Sequence, residues 1–340
     1  MEQCNLAALR RIGFGHHFAA QLHCMQAGQR PARITSLHRD RLAVHDGLST
    51  FPARLAASAG GALAVGDWVV LDRDNWIVCL LDPVNRITRR GGDGQRQVVA
   101  ANVDTALLVM GLDHDFNPRR IERYIAVARA SEVTPLVVLT KSDTGVQVRE
   151  RHAQLRARLP PSIEIVSVNA LSADAHDVLL PWLGAGQTLA LLGSSGAGKS
   201  SLTNTLCGAG QDTGAVRVGD SRGRHTTTAR SLHLCANGAS IIDTPGLRML
   251  AADADTDDVA ASFDDIAALA TGCRFHDCRH AGEPGCAVAG QVDADRLANY
   301  NKLLRETRRT VQTPLDRIAE RNRWKGLVRQ AQARSRTKRG

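Results

Sequence analysis

Residues 193–200 read Gly-Ser-Ser-Gly-Ala-Gly-Lys-Ser and fit the pattern G-x-x-x-x-G-K-S/T, whose chemistry is phosphate binding. Gly193, Gly196 and Gly198 let the backbone curl until successive amides converge on the phosphates, with Ser194, Ser195 and Ala197 between them. Lys199 supplies a point charge, and Ser200, followed by Ser201, presents a hydroxyl to magnesium. The apolar run 188–193 before the loop suits a buried strand, and residues 199–207 suit a helix that opens where the glycines end. A Gly/Ser linker matching by chance is the alternative, and the flanking strand and helix patterns argue against it. The loop by itself does not choose between ATP and GTP.

Two further segments complete a nucleotide constellation. Asp243 ends the apolar run 239–242 and begins Asp243-Thr244-Pro245-Gly246. This places a carboxylate where a phosphate-loop enzyme needs a second magnesium anchor, and it sets the unhindered amide of Gly246 toward the terminal phosphate. A plain D-x-P-G turn has the same composition, and the position downstream of Lys199 favours the nucleotide reading. Between them lies Gly223-Arg224-His225-Thr226-Thr227-Thr228, a polar loop suited to ordering around a triphosphate and loosening after hydrolysis. Thr227 is the candidate on the magnesium side, with Thr226 and Thr228 as competitors. A surface loop, or the start of the β-rich run 231–235, is the structural alternative. Leu247 occupies the position where many regulatory GTPases carry a water-orienting glutamine, and leucine cannot orient water. His225 is therefore the candidate partner of the attacking water, against the alternative of a surface histidine that contacts RNA or nothing. Potassium assistance is less attractive, because Gly196 stands where such enzymes carry asparagine.

The base reader precedes the phosphate loop. The apolar run 134–139 ends in Thr140-Lys141-Ser142-Asp143. There an aspartate accepts the N1 and N2 hydrogens of guanine and the lysine stem covers the base face; adenine offers no matching donors. A helix start capped at Ser142 or Asp143 is the alternative. The next apolar run, 163–168, leads to Asn169-Ala170, where GTPases usually carry Ser-Ala beside the base. In ordinary GTPases the phosphate loop comes first, so the inverted order indicates a circularly permuted GTPase domain in an α/β fold.

A second cluster, Cys273-x4-Cys278-x-His280-x5-Cys286, offers three thiolates and an imidazole, a closed tetrahedral set suited to structural zinc. His276 rivals His280 as the imidazole, and a disulfide or chance clustering is the alternative. Cys4, Cys24, Cys79, Cys207 and Cys235 are scattered and read as buried small hydrophobes rather than ligands.

These residues must be positioned by a core built mostly from Ala, Leu and Val, since 43% of the chain is hydrophobic and only 4% aromatic. Five short β-rich runs (32–37, 41–46, 51–57, 67–72 and 75–81) separated by Gly, Asp, Pro and Asn suit a small barrel of either OB or SH3-like type. Arg86, Arg89, Arg90 and Arg96 read as a basic, glycine-containing connection into the GTPase domain, in contact with RNA or simply solvated. The net charge is +9. After Tyr300, Lys and Arg greatly outnumber the acids Glu306, Asp316 and Glu320, a one-signed excess suited to RNA phosphate. Residues 293–331 are mostly helix-compatible and 334–340 read as disordered. No run reaches the ~18 apolar residues of a membrane span, and the N-terminal residues lack a clean apolar secretion segment, so a cytoplasmic location is expected.

The permuted order, the G-R-H-T-T-T loop, the D-T-P-G turn and the cysteine cluster together make nearly all of the chain resemble the bacterial ribosome small-subunit-dependent GTPase A family, RsgA/YjeQ. The resemblance implies an N-terminal region 1–97 holding an OB-fold barrel (about 31–90), a permuted GTPase domain 98–256, and a zinc-binding, largely helical domain 257–340 with a basic tail. It assigns the imidazole ligand to His280. It further implies GTP hydrolysis with Mg2+, one structural Zn2+, GTP and GDP as ligands, and a monomer acting with the 30S subunit and 16S rRNA in late subunit maturation, stimulated by that subunit. A nucleotide-gated RNA-binding module with incidental hydrolysis is the competing class.

Overall fold

Helices α1 (Leu6–Arg11) and α2 (His16–Ala19) lead into five strands, β1 (Arg30–Leu37), β2 (Leu42–His45), β3 (Thr50–Leu55), β4 (Trp68–Leu71) and β5 (Trp76–Leu80). All five match runs expected from sequence, within a residue or two at most ends. The computed structural model describes residues 5–38, 41–56, 62–90, 96–145, 147–208, 230–244, 251–252 and 256–311. Thr227, His225, Gly246, Leu247 and the tail beyond 311 therefore lie outside the described residues.

Strand β3 pairs with β5 in parallel and the other neighbours are antiparallel. The order β1-β2-β3-β5-β4 thus closes back onto β1, which is the OB-type barrel rather than the SH3-like alternative. Ala32, Ile34, Val44, Val69, Leu71 and Ile77 fill it. On its outside Phe14 meets Trp68 edge-on at 4.8 Å between ring centroids, which seats α1 and α2 against the barrel.

The arginine-rich connection is not a coil. Its described residues form two antiparallel strands, β6 (Arg86–Arg90) and β7 (Arg96–Ala101). Ile87 and Val99 are fully buried, while Arg86 reaches back to pair with buried Asp67 at 3.1 Å. The abundance of arginine hides a period-two pattern with few apolar members.

The nucleotide-binding half follows as β8 (Thr105–Gly111), α3 (Pro118–Ala130), β9 (Thr134–Thr140), α4 (Val148–Arg158), β10 (Glu164–Ser167), α5 (Asp174–Leu179), β11 (Thr188–Gly193), α6 (Lys199–Cys207), β12 (Arg230–Leu234) and β13 (Ser240–Asp243). The strand order is β10-β9-β8-β11-β13-β12, parallel except for β12. Every residue of β8 and β11 is buried, as expected for parallel strands covered on both faces.

Barrel and nucleotide sheet run together, because β1 pairs with β12 at Ser36↔Ser231 and Leu37↔Arg230. Arg33 locks this seam at 1% exposure. Its guanidinium donates to the Ile12 carbonyl (2.6 Å), the Thr188 hydroxyl (2.8 Å), and the Gly66 and Asn102 carbonyls (both 3.2 Å). Burial pulls its pKa down to about 10 against the opposing charges of Asp104 and Asp67, so it stays cationic at neutral pH. A lysine could not place donors along so many directions.

The last elements are β14 (Ala251–Ala252), α7 (Thr256–Ser262), α8 (Asp264–Ala270) and α9 (Ala294–Val311). Strand β14 adds to the β6–β7 pair beside Arg89 and Arg90 of β6. Helix α9 docks on α3 around Glu122, which is 1% exposed. Glu122 accepts from Arg296 (2.7 Å), Asn299 (2.6 Å) and Arg158 (3.1 Å). Two cysteines read from sequence as buried small hydrophobes are joined: Cys207 closing α6 and Cys235 after β12 form a disulfide. Cys79, read as buried, is exposed.

Candidate functional site

The ends of β8, β9, β11 and β13 meet at one edge of the parallel sheet, the carboxyl edge, where ligands sit in open α/β folds. Gly193 ends β11 so close to β8 that a Cβ there would stand 2.5 Å from the Val109 carbonyl oxygen. Gly198 turns into α6 with φ +93°, the left-handed region that side chains disfavour. Ser195 and Gly196 are exposed, Ser194, Ser200 and Ser201 are half-buried, and Ala197 is buried.

Lys199 is 7% exposed. Its ammonium donates to the carbonyls of Gly193 (3.0 Å) and Ser194 (2.7 Å). Burial holds its pKa below the ordinary lysine value, opposed by the charges of Asp243 and Asp115. The Ser200 hydroxyl stands 3.4 Å from Asp243 Oδ2. Burial pushes the Asp243 carboxyl up, with Lys199 and the Ser200 hydrogen bond opposing. Asp243 Oδ1 is buried and finds no hydrogen-bond partner among the described residues. A buried acceptor left open beside a serine hydroxyl fits a hydrated divalent cation.

The base-side segment begins where β9 ends. Thr140 is fully buried and its hydroxyl donates to the Ala197 carbonyl at 2.6 Å, so it braces the phosphate loop from beneath. Lys141 takes φ +60° and its ammonium sits 2.7 Å from Asp113 Oδ2. Asp143 is exposed on the following turn. Asn169, standing where serine is usual, uses its side-chain oxygen to accept from the Leu171 amide at 3.0 Å. The Ala170 carbonyl accepts from Thr205 of α6 at 2.7 Å, which ties the Asn169–Ala170 pair to the helix that follows the phosphate loop.

Sequence reasoning missed Asp113 and Asp115, on the loop after β8. The signal available was two carboxylates just past a continuous apolar strand, where that strand order puts the ligand edge.

The cysteine cluster is built within one short segment, residues 273–286. Ligand atoms of Cys273, Cys278, His280 and Cys286 all lie within 4.8 Å of one another, close enough to hold a metal ion, and His276 is not among them. His280 turns Nδ1 toward Cys273 (3.6 Å) and Cys286 (3.5 Å). The Ala287 and Ala289 amides lie 3.4 and 3.3 Å from the sulfurs of Cys273 and Cys286. The Ala289 amide and the His280 ring, with burial opposing, hold the Cys286 thiol down to about 6. Cys278 in the same cluster goes the other way: against the His280 amide, burial and the Cys286 and Cys273 sulfurs push its thiol up to about 11. No described helix is long and apolar enough to cross a membrane.

A family model described as RsgA GTPase matches residues 81–253. The small ribosomal subunit biogenesis GTPase RsgA of Xanthomonas axonopodis pv. citri (strain 306) is 47% identical over 272 residues, covering 77% of this chain and 74% of that protein. Its namesake in Mesorhizobium japonicum is 42% identical over 314 residues, covering 87% and 89%. Among solved structures, YjeQ from Thermotoga maritima superposes with TM-score 0.59 at 23% identity, covering 82% of this chain and 98% of that one. YloQ, described as a circularly permuted GTPase, gives 0.57 at 20% identity, covering 86% and 99%. These two likenesses bear on the fold.

Proposed function

Because the chain belongs to the RsgA GTPase family and is a GTPase, we propose that its hydrolysis acts as a checkpoint in late maturation of the 30S ribosomal subunit, binding 16S rRNA as a monomer in the cytoplasm. The observation that carries the reading is the meeting of Thr140–Asp143 and the 193–200 loop at one sheet edge in permuted order. In this reading Asp143 pairs with guanine, the Lys141 stem covers it, and Asn169 and Ala170 border it. The amides of residues 193–201 cradle the phosphates, and Lys199 leaves its carbonyls to neutralise the β- and γ-oxygens. Ser200, Asp243 and Thr227 would hold Mg2+, which supplies further charge neutralisation on those oxygens when bound. The Gly246 amide meets the terminal phosphate, and His225 orients the attacking water.

The flanks are assigned by the same reading. The units are 1–97 with the barrel, 98–256 for the GTPase and 257–340 for the metal-binding domain. Three thiols and one imidazole favour Zn2+ at Cys273, Cys278, His280 and Cys286. The basic tail meets rRNA phosphates, so binding weakens as salt rises. Stripping the metal with a chelator is expected to unravel the 273–286 loop; a zinc-free, metal-insensitive protein would sink the assignment.

The deciding experiment measures GTP and ATP turnover with and without purified small subunits. The expected result is GTP-selective hydrolysis that rises strongly with subunits and falls in His225→Ala. Flat turnover with nucleotide-dependent RNA binding would instead favour an RNA-binding module. Full stimulated turnover in His225→Ala would remove that histidine from the mechanism.

A further inference from the structure

The loop between β8 and α3 carries two carboxylates that the hydrolytic scheme above does not use, and each faces a different half of the nucleotide site. Asp115 Oδ1 accepts from the Ser194 hydroxyl at 2.6 Å and from the Arg120 guanidinium, and its Oδ2 accepts from the Gly111 amide at 3.2 Å. Asp113 Oδ2 accepts from Lys141 at 2.7 Å, and its carbonyl accepts from Arg151 at 2.9 Å. The Asp115 amide donates to Asp113 Oδ1 at 3.1 Å, so one short turn joins the two. Gly111 permits the approach, because a Cβ there would stand 2.6 Å from Asp113 Oδ1.

An unpaired carboxylate beside a triphosphate would repel it. Neither is unpaired. Arg120 neutralises Asp115, whose side chain is 11% exposed, and Lys141 neutralises Asp113. Burial works to raise the Asp113 carboxyl, but the Lys141 hydrogen bond, the Asp115 amide and the charges of Lys141 and His114 outweigh it and leave it below its ordinary value. Ser194 has a particular place in the loop, since its carbonyl is one of the two that hold the Lys199 ammonium. When that lysine turns to phosphate, the loop loses those bonds and needs Ser194 held from another side. Misplacement of such a loop by about 1 Å is enough to cost binding and rate.

We propose that Asp115 is a positioning residue for guanine-nucleotide binding: through the Ser194 hydroxyl it holds the first turn of the phosphate loop in its amide-converging form and couples that turn to the Lys141 side of the base site. The proposal rests on the GTPase reading. Binding of GDP to the wild-type full-length protein checks that reading by itself, before any variant is compared.

The test is calorimetric titration of the full-length protein with GDP and with a non-hydrolysable GTP analogue. Asp115→Ala and Ser194→Ala are each expected to weaken affinity about tenfold, the size of one lost hydrogen bond to a charged group. The double variant is expected to lose no more than the weaker-binding single, since both remove the same contact. Asp115→Asn keeps an oxygen acceptor for the Ser194 hydroxyl and is expected to recover part of the loss. Additive losses in the double variant would overturn the proposal, as would wild-type affinity in Ser194→Ala, a half-exposed change that leaves the fold intact. So would an Asp115→Ala effect confined to melting temperature.

Discussion

Lys199→Ala is expected to lower GTP turnover about 100- to 1,000-fold, the loss seen when one preorganised donor to developing charge is removed, while the protein remains folded. The second half of that expectation comes from the structure. The ammonium is almost fully buried and burial depresses its pKa, so the charged form is held at a cost that the surrounding carbonyls and carboxylates only partly offset. Alanine removes both the cost and the compensation. Stability therefore changes little while the charge opposite the β- and γ-phosphates disappears. Turnover at saturating GTP, read alongside a thermal melt, separates the two effects. Near-wild-type turnover would remove Lys199 from the catalytic assignment, and a collapse of the melt would make it structural.

The opposite outcome is expected at Glu122. Its carboxylate is 1% exposed and compensates Arg158 and Arg296, while Arg296 also meets Asp265 at 2.7 Å and lies 4.6 Å from the Phe263 ring centroid. Removing one partner from a buried ion network leaves the others charged and desolvated, at a cost of about 3–5 kcal/mol. Glu122→Ala should show that loss in urea unfolding, with α9 released from α3. A loss below about 1 kcal/mol, the scale of an exposed pair, would mean the network is wetter than it looks. At the rim of the same network, hydrogen bonds from Arg119 and then Arg158 hold Asp295 down to about 2. A depressed carboxylate contributes above its unfolded pKa near 4 and loses that contribution as pH falls through about 2. Docking of α9 is thus expected to weaken in acid, with Asp295 adding little because it is exposed.

Legibility followed contiguity. The phosphate loop, the T-K-S-D segment and the Cys/His cluster each lie within one short stretch of chain, because one backbone turn must wrap one ligand. The five barrel strands were visible from their turn residues. The β6–β7 pair was not, since its arginines obscured an alternation carried by Ile87 and Val99. Nor were Asp113 and Asp115, whose partners Lys141, Ser194 and Arg120 are supplied by three separate elements.

The sequence by itself determined the phosphate-loop pattern, the permuted motif order and the three cysteines of the Cys/His cluster, because each depends on residue types at short spacing. It left His276 and His280 open on residues alone, and geometry selects His280 by bringing its Nδ1 beside two sulfurs. Only the tertiary structure decided how the parts are joined: β1 onto β12, Arg33 across the seam, Glu122 between α3 and α9, and the Asp113–Asp115 turn between the two halves of the nucleotide site. Those contacts pair residues far apart in the chain, and a charged side chain carries no local mark of the partner that will neutralise it once both are buried.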